Sequence, residues 1–175
     1  MNHSTDPHLP VFEQGLEEFP LSRIILTNAL MLFWIMLGTL ACGFLNHLLG
    51  WIYLAGALLT VYVVMRKAVC THCYYYDKWC PAGWGKLSAL LFSQGNVQKF
   101  TACLGVKSAP VTYGLLLLIP LVFGTIGLIR QFTLTKIIIL ILLVLTAAFS
   151  GTVNRKKACV NCKMNLICPG GKAKE

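Results

Sequence analysis

The residues in this chain that could do chemistry are its cysteines. There are eight, and six fall in two matching patterns: Cys70 with Cys73 and then Cys80, and Cys159 with Cys162 and then Cys168. Each Cys-x-x-Cys places two sulfurs on one turn, where they can bind one ion or cluster, and the third sulfur arrives after a short loop. Pro81 and Pro169 follow the third cysteines directly, each with glycine shortly after. Proline removes a backbone donor and stiffens the ligand's approach, and glycine lets the backbone lie close to sulfur. The pattern predicts metal binding ahead of dithiol redox chemistry.

Which metal is left open by the spacing. Cys-Pro ends the cluster-binding runs of bacterial ferredoxins, and zinc sites also use Cys-x-x-Cys followed by glycine. The expected cofactor is therefore one or more iron-sulfur clusters of the 4Fe-4S type, with zinc as the alternative. Two four-thiolate sites need eight cysteines, but Cys42 falls near the outer end of a helix crossing the ~30 Å bilayer core and reads as a packing residue. Cys70, Cys73, Cys80, Cys103, Cys159, Cys162 and Cys168 are the candidate cofactor and metal ligands. Cys103 can complete one site, and the other needs a partner protein or a non-cysteine ligand, for which His72 and Asp77 are candidates. Alternatively the two Cys-x-x-Cys pairs share one ion. No phosphate loop, Ser-His-Asp pattern or paired-carboxylate motif occurs, so no catalytic residue is assigned.

The elements that must position these sulfurs read as membrane helices. Ile24 to Leu45 holds 22 residues without a charge, enough at ~1.5 Å per residue to cross the bilayer. Apolar character resumes at Leu48 and runs to Met65, where Arg66 and Lys67 stop it. Val111 to Ile129 is a third span with Pro120 in its middle, which predicts a kink. Phe132 to Val153 is the fourth, with Lys136 snorkelling from near its end toward the headgroups. Gly38, Gly43, Gly124 and Gly127 are placed to let helices approach closely. The expected fold class is all-α and integral to the membrane: four transmembrane helices as two repeated hairpins, with cysteine-rich cytoplasmic loops.

The chain repeats itself at an offset of about 89 residues. Arg66-Lys67-Ala68-Val69-Cys70-Thr71-His72-Cys73 aligns with Arg155-Lys156-Lys157-Ala158-Cys159-Val160-Asn161-Cys162, and Pro20 and Pro110 stand before the two hairpins. Residues 1–23 form an acidic tail, 24–86 the first repeat, 87–109 a connection with an amphipathic segment, and 110–175 the second repeat. A pseudo-twofold axis along the membrane normal would bring both cysteine segments to one face.

Composition agrees with this partition. With 57% of residues apolar, 12% charged and a mean hydropathy of +0.69, the chain lacks the polar surface of a water-soluble domain. Twelve of the 15 lysines and arginines follow the second or fourth span, whereas the two opposite connections hold only Arg130 and Lys136. The positive-inside bias then places both cysteine segments and both termini in the cytoplasm, in a multi-pass protein of the inner (cytoplasmic) membrane. The net charge of +9 is a topology signal, with anionic headgroups rather than nucleic acid as its partner. The acidic first 23 residues have the wrong sign for a secretory signal. Tyr74, Tyr75, Tyr76, Trp79 and Trp84 read as an anchor at headgroup depth. The spans hold no carboxylate for a proton relay and no histidine pair for haem.

Four helices with cytoplasmic cysteine motifs ending in Cys-Pro resemble the polytopic membrane ferredoxin-type proteins, such as the quinol-oxidising subunits of periplasmic nitrate reductase systems. The resemblance rests on the architecture and on Cys70, Cys73, Cys80, Pro81, Cys159, Cys162, Cys168 and Pro169. This chain differs in placing six and five residues before the final cysteines, a longer spacing than that family's, and it lacks the family's separate ferredoxin-like motif. The resemblance implies one-electron transfer between quinone and a partner, as a subunit of a larger membrane redox complex without its own substrate site. The competing classes are a zinc-stabilised membrane scaffold or assembly protein and a thiol-disulfide oxidoreductase.

Overall fold

The structure is a computed structural model, and it describes residues 11–101 and 103–168. The described chain is mainly helical, and four rods are long and apolar enough to cross a membrane: Leu21–Gly43, His47–His72, Leu104–Arg130 and Leu134–Val160. The first is helix α1. The second is compound, made of α2 (His47–Leu59), a π turn (Thr60–Val64), α3 (Met65–Val69) and a 3-10 turn (Cys70–His72). A short helix, α4 (Trp84–Leu91), and a 3-10 turn at Val97–Lys99 lead to the third rod, α5 (Leu104–Arg130). The fourth joins α6 (Leu134–Phe149), a π turn (Ser150–Asn154) and α7 (Arg155–Val160).

All four expected spans are present, but two of their ends are not where the charges stand. The second and fourth rods continue past Arg66 and Arg155 to His72 and Val160. Basic residues mark where a chain leaves lipid, yet lysine and arginine are good helix formers and do not stop a helix. Of the six motif cysteines, Cys70 and Cys159 consequently ride on rod ends, where loops were expected, and Cys73, Cys80, Cys162 and Cys168 lie beyond the rods.

Helix α1 is the hub, packing against α2, α5 and α6. Trp34, Ile35, Leu37, Ala41, Cys42, Tyr53, Ala57, Val61, Leu116 and Leu143 form the buried core between the rods. Cys42 is fully buried there, as its position in the first span led one to expect. Close approach uses glycine: a Cβ at Gly38 would lie 2.6 Å from the Tyr53 ring, and one at Gly127 would lie 2.8 Å from Phe44 Cβ. Gly43 takes part differently, offering its backbone to Gly50 while its own side-chain direction meets nothing. Outside the core, Trp51, Val111, Ile129 and Leu145 are exposed, a costly arrangement in water and a neutral one among lipid tails.

Pro120 is buried inside α5 and cannot supply an amide to the Leu116 carbonyl four residues back. The Tyr53 hydroxyl donates to that carbonyl instead, at 2.7 Å. Tyr53→Phe leaves it without a partner and should cost about 1 kcal/mol, read as a lower thermal midpoint in detergent with the helix content unchanged. Lys136 also departs from expectation. Its ammonium donates to the carbonyls of Gly127 and Gln131, both at 3.0 Å, so it caps the end of α5.

Candidate metal centre

Both cysteine segments fold into the same turn. The Cys73 amide donates to the Cys70 carbonyl, the Tyr76 amide to Cys73 and the Lys78 amide to Tyr75. At an offset of 89, Cys162 donates to Cys159, Asn165 to Cys162 and Ile167 to Met164. The residues two positions after the second cysteines, Tyr75 and Met164, are each 2% exposed and form a small buried nucleus with Phe19 and Phe100. Cys73, Cys80, Cys162 and Cys168 pack against this nucleus. A π turn also precedes each segment, and a carbonyl of each accepts an arginine: Val61 from Arg66 Nε at 2.7 Å, and Asn154 from Arg23 at 2.8 Å.

The sulfurs are supplied with donors. Cys73 accepts the backbone N–H of Tyr75 and Cys162 that of Met164, the same two-residue reach in both segments. Cys80 accepts the Trp84 amide at 3.2 Å, and Cys70 faces the Arg66 guanidinium at 3.4 Å. Such donors stabilise a thiolate, but burial opposes them and dominates. It holds the Cys73 thiol well above its ordinary range and pushes Cys162 up to about 11. Both are neutral at pH 7, so a metal ion must displace their protons. No disulfide joins any of the eight cysteines.

Cys103 caps the start of α5 and donates its S–H to the Ala68 carbonyl at 2.6 Å, two residues before Cys70. His72 and Asp77 turn elsewhere. The His72 Nδ1 meets the Thr71 hydroxyl at 2.9 Å and its ring lies against Gly95, while Asp77 pairs with Lys86 at 3.1 Å. Among the described residues, no three His, Cys, Asp or Glu side chains come together closely enough to hold a metal ion as they stand. Four of the thiols, Cys73, Cys80, Cys162 and Cys168, are instead spread around the Tyr75–Met164 nucleus, packing as small apolar groups. Pro169, Gly170 and Gly171, which complete the second motif, lie outside the described residues.

Three residues hold the segments in roles the sequence did not assign them, Tyr75 having been read there as part of a headgroup anchor. Asn28, inside the first span, donates to the Ala82 carbonyl at 2.8 Å and accepts the Trp84 indole N–H at 3.2 Å, tying the Cys80 loop to α1. Tyr75 accepts the Lys163 amide at 3.1 Å and donates to the Leu16 carbonyl at 2.6 Å, so one phenol joins both cysteine segments to the N-terminal segment. Glu17 is the third. The acidic tail expected over residues 1–23 becomes, over its described part, a strap: Phe12 and Leu16 donate to the Lys163 and Asn161 carbonyls, and Phe19 to that of Trp79. Polar residues in an apolar span and tyrosines in a loop are the only signals that could have found them.

The aromatic cluster also faces inward more than its composition implied. Tyr75 is buried, Tyr76 donates to the Phe92 carbonyl at 2.8 Å, and Trp84 stacks on Arg66, whose guanidinium carbon is 3.3 Å from the ring centroid. These rings fasten the loop, and Trp79, 36% exposed, is turned outward.

Glu17 pairs with Lys163 and accepts the Tyr74 hydroxyl at 2.7 Å, and these bonds lower its carboxyl to about 2. A depressed carboxyl stabilises the fold above its ordinary value of 4.5 and loses that contribution as the pH falls through about 2. Amide exchange at Leu16, corrected for intrinsic rates, should therefore stay slow at pH 4 in the native protein. In Glu17→Gln it should be a few-fold faster, the small factor fitting a carboxylate that is 63% exposed.

Compared with protein families, with curated proteins and with solved structures, the chain matches none.

Proposed function

We propose that this chain is a duplicated membrane hairpin whose two cysteine segments hold iron-sulfur at the cytoplasmic face and carry single electrons within a larger membrane complex. The observation that supports this most is the pair of identical turns, each presenting a second cysteine to the amide two residues on. The same three backbone bonds at an 89-residue offset, after a π turn in both rods, are what a duplication leaves behind. Backbone amides aimed at sulfur, an absence of disulfides among eight thiols and soft donors on a short head suit a thiolate-bound metal.

In this reading Cys70, Cys73, Cys80 and Cys103 serve the first half and Cys159, Cys162 and Cys168 the second, with its fourth ligand from elsewhere. Gathering them into coordination takes side-chain and loop movement, which metal binding drives because its free energy is folding free energy in loops of this kind. Iron-sulfur, when bound, supplies reversible one-electron chemistry. The chain's own contribution is to hold Cys70 and Cys159 on rod ends, aim amides at the sulfurs of the following turns and exclude water with Tyr75, Met164, Phe19 and Phe100. The bilayer is the solvent for the four rods, and the positive-inside bias of the basic rod ends supports a cytoplasmic head, where thiols stay reduced. Other subunits of a redox complex, and quinone as an electron source or sink, complete the proposal.

Full-length protein purified anaerobically in detergent should be brown, with broad visible absorption bleached by dithionite and an EPR signal on reduction. Colourless protein with stoichiometric zinc would overturn electron transfer in favour of a zinc-stabilised scaffold. Protein without metal that exchanges disulfides would mark a thiol oxidoreductase.

A further inference from the structure

Helix α4 wears its faces reversed. The residues it buries against the rest of the chain are Gly85 and Ser88, whereas Leu90 is 80% exposed and Leu91 49%. With 3.6 residues per turn, Leu87 and Leu90 lie opposite Gly85 and Ser88, and Leu91 stands beside them. A helix on a water-facing surface has the other pattern, apolar inward and polar outward. What the leucines meet follows from their depth. About 20 helical residues cross the ~30 Å hydrocarbon layer. Counted inward from the turn between the first two rods, they end near Ile24 on the first and near Arg66 on the second. The start of α4 is fastened at those two levels: a Cβ on Gly83 would lie 2.7 Å from Ile24 Cγ2, the Trp84 indole donates to Asn28 at 3.2 Å, and its ring meets Tyr62 edge-on and covers Arg66. Just past the end of α4, the Gly95 amide donates to the Thr71 carbonyl at 2.9 Å. Thr71 is five residues beyond Arg66, about 7.5 Å along the rod and roughly the thickness of one headgroup layer. Both ends of α4 are thus held within the headgroup zone. Gly85 rests on the Tyr75 and Lys78 carbonyls of the turn beyond the rod end, so the leucines point away from that turn.

We infer that α4 is an in-plane interfacial helix whose Leu87, Leu90 and Leu91 enter the boundary between phospholipid headgroups and acyl chains. The inference needs the four rods in a bilayer and no metal. Tyr75, Tyr76 and Trp84, which by residue type would anchor at this depth, are turned to the protein, and the leucines take that place. The contact reaches the first cysteine segment directly. Because Gly85 lies against the Tyr75 and Lys78 carbonyls, lipid that holds α4 also fixes the height of the turn after Cys73 above the membrane.

The test uses full-length protein in phosphatidylcholine nanodiscs, with the photo-crosslinker benzoylphenylalanine replacing Leu90 or, as a control, Gln14, which is exposed on the strap beyond the rod ends. Leu90 is exposed, so its replacement disturbs no packing inside the protein. Mass spectrometry should find phospholipid adducts at position 90 at least about tenfold more often than at position 14, since an interfacial helix sits at acyl depth and the strap does not. Lipid adducts equally rare at both positions overturn the inference, and adducts from position 90 to a second copy of the chain overturn it in favour of a protein contact. A second measurement needs no crosslinker. The Phe92 amide donates to the Ser88 carbonyl at 2.8 Å and closes the last turn of α4. Its hydrogen exchange in nanodiscs should be about tenfold faster in Leu90→Gln, which loses the apolar contact with lipid. An unchanged rate there would place the leucine in water and overturn the inference.

Discussion

On the iron-sulfur proposal, serine in place of Cys73 or Cys162 is expected to strip the purified protein of nearly all bound iron, by at least about 100-fold in affinity, beyond the ~10–100-fold typical of losing an outer-shell partner. These two sulfurs differ from the other candidates in where they stand. Cys73 is within electrostatic range of Cys70, Cys80 and Cys162, and Cys162 of Cys159, Cys168 and Cys80, so each feels thiols of both segments. A serine oxygen is a harder ligand than a thiolate, and it would lie in the same buried position, where its own ionisation is more costly still. Cys42→Ala is the control. Its sulfur is in the core between the rods, so the substitution should lower the thermal midpoint while iron per chain is unchanged. Iron analysis of the three variants after anaerobic purification gives the result, and full iron in Cys73→Ser would remove that residue from the ligand set.

The four rods were legible from the sequence because a bilayer demands long uncharged helices and leaves few alternatives. Their ends were less so. Arg66 reads as a stop, yet it is turned inward onto Val61, Cys70 and Trp84, which a count of charges along the chain cannot reveal. The matching Cys-x-x-Cys and Cys-Pro patterns were visible in the sequence, and the matching amide bonds follow from them locally. What spacing could not convey is the contact between the two segments, because it is made by residues with no metal chemistry of their own. Tyr75 and Met164 meet at the nucleus, and the strap reaches both loops through backbone groups at Phe12, Leu16 and Phe19. Asn28 was hidden for a related reason: one amide in an uncharged span changes its hydropathy little, while two of its hydrogen bonds, to the Ala82 carbonyl and from the Trp84 indole, fix the loop that carries Cys80.

Gly85→Ala is expected to be the most damaging substitution outside the cysteines, and it separates the head from the membrane bundle. Gly85 is in the first turn of α4, which lies directly on the loop after Cys73. A Cβ there would stand 1.8 Å from the Tyr75 carbonyl oxygen and 2.5 Å from that of Lys78. Both neighbours are backbone, so no rotamer change relieves the clash, and the Gly85 carbonyl is itself held by the Asp77 amide at 3.2 Å. The cost should reach about 3 kcal/mol, the upper end for overpacking, because either α4 or the cysteine turn must move. Moving the turn displaces Tyr75, and with it the phenol that joins Leu16 and Lys163. The rods do not share this contact: their core contains neither Tyr75 nor Gly85. Circular dichroism of Gly85→Ala in detergent should therefore show native helix content, while maleimide labels Cys73 and Cys162 rapidly and iron per chain falls. Gly56→Ala meets nothing within 4 Å and sits in α2, where alanine is the better helix former, so it should be neutral or slightly stabilising. Slow labelling and full iron in Gly85→Ala would show that the head tolerates a displaced α4, and would argue against Tyr75 as the link between its halves.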